Sequence, residues 1–477
     1  MLYSKNWIGG EWSEPEGGEI EVFNPSNVQE KVGIVRLSGV QDVLRAADAA
    51  REAQRKWARL TGAQRGEVLY RMAGALAANL NEIAELASRE MGKPITEMKG
   101  EVMRGVNLLK YYAAEGVRQI GSIIPASAPD VLQYSLRVPL GVVGIITPWN
   151  FPVAIPIWKI APALICGNAV VWKPAELASL TATRMAEIFA DCGLVPGVLN
   201  LVVGKGSQIG DALLEQAGLD AVSFTGSTPT GQRVALACAG RNIKYQTEMG
   251  GKNAAVVLKD ADLDLAVQAI VSGAFRSAGQ KCTATSRIIV ERGILEPFSA
   301  KLKAAVESLH VAQALDPDAY LGPVASHQQF MQVMKYVEMA RNEAKVTAVR
   351  SGIPGGGHFV APMVVTDVGV DHPLAQEEIF GPLAVILEAD DFDHAVDLCN
   401  RTVFGLSASV FTRDLSRALK FLEEAQAGLV RVNQETAGVE YQAPFGGMKW
   451  SGSHSREQGQ AALDFFSQIK TCAVNYM

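Results

Sequence analysis

Between residues 140 and 258 short apolar runs alternate with amphipathic stretches, and that alternation restricts the chain to one broad architecture. Residues 140–147, 169–173, 198–203, 221–225 and 254–258 are short and rich in Val, Ile, Leu and Ala, as strands buried on both faces are. Helix-like segments separate most of them, so successive strands connect by crossovers and lie parallel. The result is an α/β domain. A second series begins near Asp262: residues 263–278 read as helix, 287–291 as strand, 296–309 as helix, and 383–387, 407–411 and 428–432 as further strands. Before both series, residues 40–56, 63–91 and 102–116 carry helical periodicity, and Gly92-Lys93-Pro94 stops the second of these helices. A single core stops growing near about 250 to 300 residues. A chain of 477 residues therefore divides into at least two domains.

Charge and cysteine usage exclude several classes of function. The formal net charge is -6 and no basic run occurs, which argues against a nucleic-acid partner. Residues 140–146 are too short to span a bilayer, and 155–172 are interrupted by Pro156, Lys159, Pro162 and Gly167, so no membrane segment is expected. The first residues lack the apolar run of a secretory signal, and the expectation is a cytoplasmic protein. Six cysteines are scattered without C-x-x-C or His-flanked spacing, implying neither a metal site nor a disulfide framework.

Chemistry concentrates in a few polar, glycine-rich segments. Cys282 sits in Gly279-Gln280-Lys281-Cys282-Thr283, and Glu248 opens Glu248-Met249-Gly250-Gly251-Lys252-Asn253. A thiol and a carboxyl group in such turns are the two parts that thioester chemistry needs, one to carry the acyl group and one to activate water. All six histidines follow Cys282 and none stands in a partner motif, which leaves a Cys-His hydrolase without a base. The loop Gly204-Lys205-Gly206-Ser207-Gln208-Ile209-Gly210 has the wrong last spacing for the standard dinucleotide fingerprint.

These two motifs stand with Pro148-Trp149-Asn150-Phe151-Pro152, Lys173-Pro174-Ala175-Glu176, Phe224-Thr225-Gly226-Ser227 and Glu377-Glu378-Ile379-Phe380-Gly381-Pro382. Together, from about Trp7 onward, they resemble the aldehyde dehydrogenase superfamily. The resemblance implies a variant Rossmann cofactor domain (residues 1–117 and 139–249), an α/β catalytic domain (250–456) and a β-arm oligomerisation element (118–138 and 457–477). It makes Cys282 the nucleophile, Glu248 the base for water, and the Asn150 amide with the Cys282 backbone N–H the oxyanion donors. It assigns cofactor contacts to Trp149, Lys173, Glu176, Gly206, Gly226, Ser227, Glu378 and Phe380. The Glu176 carboxylate suits a free ribose 2'-hydroxyl, so NAD is expected, with NADP the alternative. Glu248 points to an acid product rather than acyl transfer to coenzyme A.

Within the superfamily, residues 141–159, 274–287 and 437–449, followed by 453–459, are similar to bacterial α-ketoglutarate semialdehyde (2,5-dioxopentanoate) dehydrogenases. A carboxylated semialdehyde is therefore the expected small-molecule substrate. Succinate semialdehyde, or a broad range of aldehydes, is the alternative. Arg276, six residues before Cys282, and Arg104 are the candidate carboxylate ligands. Trp158 and Gln442 are further candidates for the substrate tunnel. The same resemblance implies a homodimer or homotetramer.

Overall fold

The computed structural model describes residues 1–15, 17–118 and 120–477; Gln119, within the segment expected as part of the arm, and Glu16 lie outside the described residues. The first of two seven-stranded sheets is ordered Lys244–Glu248, Ala221–Thr225, Val142–Thr147, Ala169–Pro174, Leu199–Leu201, Asn6–Ile8, Glu11–Ser13. Its first five strands pair in parallel and the last two antiparallel. The second sheet is ordered Lys345–Val349, Met363–Thr366, Leu383–Ala389, Thr285–Glu291, Asn253–Val257, Ser407–Phe411, Leu429–Val432, and is parallel except at its first edge. Strands such as Ala221–Thr225, Asn253–Val257 and Ser407–Phe411 are buried along their whole length. This is why each reads as a continuous run of small or apolar side chains.

The chain passes from the first sheet to the second in four residues, Met249-Gly250-Gly251-Lys252, between Glu248 and Asn253. Thr147, Pro174, Thr225 and Glu248 are the carboxyl ends of first-sheet strands, and the segments holding Asn150, Glu176 and Gly226 follow from them. Cys282 and Glu378, in contrast, lie just before the amino ends of the second-sheet strands Thr285–Glu291 and Leu383–Ala389. A crevice outside the carboxyl ends of parallel strands is where α/β proteins bind ligands. Here the second sheet closes that crevice.

Three helical expectations are corrected. Residues 63–91 are two helices, Gly62–Ala78 and Leu80–Met91, because Asn79 leaves the helical region and its Nδ2 donates back to the Ala75 carbonyl at 2.8 Å. The apolar periodicity continues across the break, so it gave no sign of it. The helix expected at 102–116 starts earlier, running Ile95–Glu115 directly after Pro94. Its first turns carry Thr96, Glu97, Lys99 and Gly100, which hide the apolar face. The segment 263–278 is helical only over Leu263–Phe275, then turns through left-handed backbone at Ser277 and Ala278.

Strands Gly121–Ile124, Val131–Pro139 and Ser467–Asn475 form a separate antiparallel sheet with Val131–Pro139 in the middle. Among the described residues no helix is long and apolar enough to cross a membrane.

The Gly62–Ala78 helix packs backbone to backbone on the end of the Ile95–Glu115 helix. A Cβ at Gly62 would stand 2.0 Å from the Gly116 carbonyl oxygen, and one at Gly116 2.2 Å from that of Gly62. Gly62→Ala must push the helices apart and should destabilise the fold by about 1 to 3 kcal/mol. Thermal unfolding measures this as a lowered Tm, whereas Gly74→Ala, with open space around it, should not lower it.

Candidate active site

The turn before Cys282 is strained and braced. Ser277 and Ala278 have φ of 55° and 54°, and Gly279 continues at 67°, a run that only glycine adopts without cost. Glu97 supports it, accepting the Ser277 amide at 3.0 Å and its hydroxyl at 2.8 Å. Gly279 cannot be replaced without conflict, since a Cβ there would lie 2.3 Å from the Gly381 carbonyl oxygen. Beyond the turn, Asn253 Nδ2 donates to the carbonyls of Cys282 and Ala284, each at 2.8 Å, tying the thiol's backbone to the interdomain crossing.

Asn150 enters from the first sheet. Its Nδ2 donates to the Gln280 carbonyl at 2.9 Å, and its own carbonyl accepts from Lys93 Nζ at 2.7 Å. Asn150, Cys282, Gly226, Ser227, Gly250, Glu378 and Phe380 line one cavity of about 230 Å³. Burial, then the Glu378 and Glu248 carboxylates, raise the Cys282 thiol pKa, so the resting thiol is protonated and needs a base.

Glu248 is 2% exposed, and among the described residues neither of its carboxylate oxygens has a well-formed hydrogen-bond partner. Burial, and next the negative charge of Glu457, raise its pKa well above the usual carboxylate range. Gly446 and Gly452 leave room for it, since a Cβ would stand 2.7 and 3.2 Å from Glu248 Oε1. Beside it Lys159 pairs with Glu457 and donates to Ser223 Oγ at 2.8 Å, while Trp158 Nε1 donates to Glu457 Oε2 at 2.6 Å.

A second cavity of about 610 Å³ shares Trp149 with the first and runs past Glu176 and Gly206, with His327 and His358 also in its lining. Glu176 Oε1 accepts the Gly206 amide at 3.0 Å and lies 3.8 Å from Lys173 Nζ, whose pKa burial lowers. Ser227 Oγ pairs with Thr230 Oγ1 at 2.9 Å at the start of the Thr228–Gly240 helix. At the other end Phe380 meets Trp149 edge to face with centroids 5.5 Å apart.

Burial pushes Glu378 up to about 7, with the Gly251 amide, 3.2 Å away, as its backbone donor. Gly250 makes the close approach, because a Cβ there would stand 2.2 Å from Glu378 Oε2. A buried carboxylate bordering a cavity, with lone pairs to spare, is chemically suited to accept ribose hydroxyls. The two joined cavities and this donor set fit a dinucleotide.

The structure distributes the expected substrate residues unevenly. Arg104 lines a mouth cavity of about 860 Å³ together with Arg431, Glu435 and Glu440. Leu429 and Val439 belong both to its lining and to the apolar cluster with Phe445 that packs against Cys282. Burial lowers the pKa of both guanidinium groups, and neither has a carboxylate within the 4.0 Å of an ion pair among the described residues. Arg104 donates to Gln458 Oε1 at 2.9 Å, and Arg431 donates to the carbonyls of Glu435 and Ala437.

Arg276 is placed elsewhere. It is exposed, its guanidinium lies 5.2 Å from the Tyr320 ring centroid, and it lines neither the mouth nor the Cys282 cavity. The left-handed turn that follows it redirects the segment. Trp158 is buried against Phe445, with centroids 5.4 Å apart, one layer behind the cavity walls. Gln442 is exposed and absent from the mouth lining to which Glu440 and Ala443 contribute. Sequence reasoning missed Arg431, the Lys93–Glu101 and Lys159–Glu457 pairs, and Lys252. The Lys252 amine has no hydrogen-bond partner among the described residues, and burial lowers its pKa to about 7.

The chain belongs to the aldehyde dehydrogenase family, whose model matches residues 12–472. It is 48% identical over 475 residues, 98% of this chain and 97% of the relative, to the alpha-ketoglutaric semialdehyde dehydrogenase of Bacillus subtilis (strain 168). It is 40% identical to the alpha-ketoglutarate semialdehyde dehydrogenase of Haloferax volcanii, covering 99% of both chains. Among solved structures, betaine aldehyde dehydrogenase from Staphylococcus aureus in complex with NAD+ superposes with a TM-score of 0.96 at 31% identity, covering 99% of this chain and 95% of that one. An NAD-dependent aldehyde dehydrogenase from Sinorhizobium meliloti gives 0.95 at 34% identity, with coverage of 99% and 94%.

The electrostatics of the thiol give a direct test. Glu378 is the leading charge that raises the Cys282 pKa, so Glu378→Gln should move the pH midpoint of Cys282 alkylation in the cofactor-free protein to lower pH. Iodoacetamide labelling of the Cys282 peptide, followed by mass spectrometry, measures it; a midpoint that stays or rises contradicts the assigned cause.

Proposed function

We propose that this chain oxidises a short semialdehyde bearing a distal carboxylate, α-ketoglutarate semialdehyde above succinate semialdehyde, to the carboxylic acid with NAD+. The observation that carries the reading is that Cys282, Asn150, Glu378 and Phe380 line one cavity although they come from the facing edges of two sheets. The names of the relatives at 48% and 40% identity support the substrate, and the NAD+ complex of the structural relative supports the cofactor. Glu176 favours NAD+ over NADP+, because its carboxylate would repel a 2'-phosphate.

In this reading each residue has its own work. In its ionised form Glu248, a stronger base than an ordinary carboxylate because burial raises its pKa, draws the proton from the Cys282 thiol. The thiolate adds to the aldehyde carbon, and the Asn150 amide with the Cys282 backbone N–H holds the resulting oxyanion. Lys173, Glu176, Gly206, Gly226, Ser227 and Glu378, with Trp149 and Phe380, would hold NAD+, which when bound would supply the hydride acceptor. Loss of hydride from the adduct leaves a thioester on Cys282. Glu248 gives up its first proton to solvent, then takes one from water as the water attacks the thioester; collapse of that adduct releases the acid, and the departing Cys282 thiolate regains a proton from Glu248.

Arg104 and Arg431 hold the distal carboxylate at the mouth, beyond the apolar stretch of Leu429, Val439 and Phe445. Arg104 has this role on both the sequence and the cavity lining, and Arg431 replaces Arg276 as its partner. Residues 1–117 with 139–249 act as the cofactor domain, 250–456 as the catalytic domain, and 118–138 with 457–477 as the arm that builds a homodimer or homotetramer. The protein works in the cytoplasm on a free small molecule.

Two measurements test this. Glu248→Gln should give a single-turnover burst of reduced cofactor followed by a steady state slowed by about 100-fold or more, because a thiol, a far stronger acid than water, loses its proton without Glu248 more readily than the attacking water does. A uniformly slowed reaction without a burst would assign Glu248 to the earlier step alone. Arg104→Leu should lower kcat/KM for carboxylated semialdehydes by about 10- to 100-fold, the worth of about 1.5 to 3 kcal/mol for a charged hydrogen bond, and leave uncharged aldehydes within about twofold. Arg276→Leu should change both substrate classes little; a selective loss there would return the carboxylate to Arg276.

A further inference from the structure

Lys93 and Glu101 pair at 2.5 Å with side chains 1% and 2% exposed. Neither lines the Cys282 cavity, and the chemistry proposed above does not use them. What they grip is the Asn150 segment. Lys93 Nζ donates to the Asn150 carbonyl at 2.7 Å and stands 3.7 Å from the centroid of the Phe151 ring. Glu101 Oε1 accepts the amides of Val153 and Ala154 at 2.9 and 3.1 Å. From the opposite side the Gln280 carbonyl takes one hydrogen of the Asn150 amide, leaving the second free for another acceptor. Main chain and side chain of Asn150 are thus fixed independently.

We infer that Lys93 and Glu101 are positioning residues that set the Asn150 amide where the oxyanion of the Cys282 adduct forms. The inference rests on the reading of Asn150 as an oxyanion donor. An oxyanion donor acts only when it is already aimed, within about 0.5 Å, at the place where charge develops. The Pro148–Phe151 segment is a loop outside the strand, so its accuracy must come from contacts such as these. Net stability is a poor explanation for the pair, because a buried ion pair contributes little more than apolar side chains of the same shape. Glu101 also serves the start of the Ala154–Ile165 helix, but Lys93 does not. Besides Glu101, the Lys93 amine meets the Asn150 carbonyl and the Phe151 ring.

Removing one charge would strand the other, so the informative variant is Lys93→Met combined with Glu101→Gln, which keeps an acceptor for the Val153 and Ala154 amides. Its pre-steady-state burst of reduced cofactor should slow by about 10- to 100-fold, with cofactor Kd, measured by fluorescence quenching, within about twofold of the parent. Added to Asn150→Ala, the same pair of changes should slow the burst by no more than about twofold further, because the donor they aim is already gone. A folded double variant with an unchanged burst, or with a loss that multiplies in full with that of Asn150→Ala, overturns the inference. An unchanged burst in Asn150→Ala alone removes the oxyanion reading, and this inference with it. Should the double variant not fold, Lys93→Arg, which keeps the charge but lengthens the arm, decides in the same way: a slowed burst with unchanged Kd supports the role, and an unchanged burst overturns it.

Discussion

Charges buried away from water must be answered by other buried groups, and most of this site is the working out of that demand. One face of the Ile95–Glu115 helix carries Glu97, Glu101 and Arg104 at helical spacing. Glu97 answers the turn before Cys282, Glu101 answers Lys93 and the Asn150 segment, and Arg104 reaches the mouth. A single rigid helix thus registers the thiol, the amide and the entrance against one another. On the other side Lys159 answers Glu457. Glu248 has no such paired partner among the described residues, and burial, only partly offset by Lys159 and Arg456, raises its pKa.

The site also depends on backbones approaching more closely than side chains permit. Gly250 and Gly251 carry the chain from one sheet to the other past Glu378 and the Cys282 carbonyl, with no space for a Cβ at either. Because the crossing is this short, the strand ending at Glu248 and the strand beginning at Asn253 are nearly continuous. Glu248 and Cys282 are set by the relation of two sheets rather than by a flexible linker.

The sequence exposed the pieces whose chemistry is local. Cys282, Glu248 and Asn150 sit in motifs of unusual composition, and the strands around them are unbroken apolar runs, so both were legible. What stayed hidden depends on partners far away in the chain. Glu97 and Glu101 look like any solvated helical face, and nothing near Lys93 announces that it meets Asn150. Ser277 and Ala278 gave no sign of left-handed backbone, since neither is glycine, and so Arg276 was expected in the tunnel although the turn turns it outward. Arg431 lies in an ordinary strand pattern, and only the packing of 437–444 around it makes it part of a cavity.

The strand Val131–Pro139 finds its partner Ser467–Asn475 only after the chain has travelled through both sheets; the Arg137 to Ser467 hydrogen bond spans 330 positions. Glu457 and Gln458, which answer Lys159 and Arg104, come equally late. During synthesis, therefore, the Val131–Pro139 hairpin waits with an unpaired edge beside exposed Ile123 and Leu132 while several domains' worth of chain is still being made. Contacts of such long range are reached slowly, and an open edge is a template for pairing with the wrong chain. The architecture that draws distant residues into one site makes this a protein whose birth, more than its mature state, needs protection from aggregation.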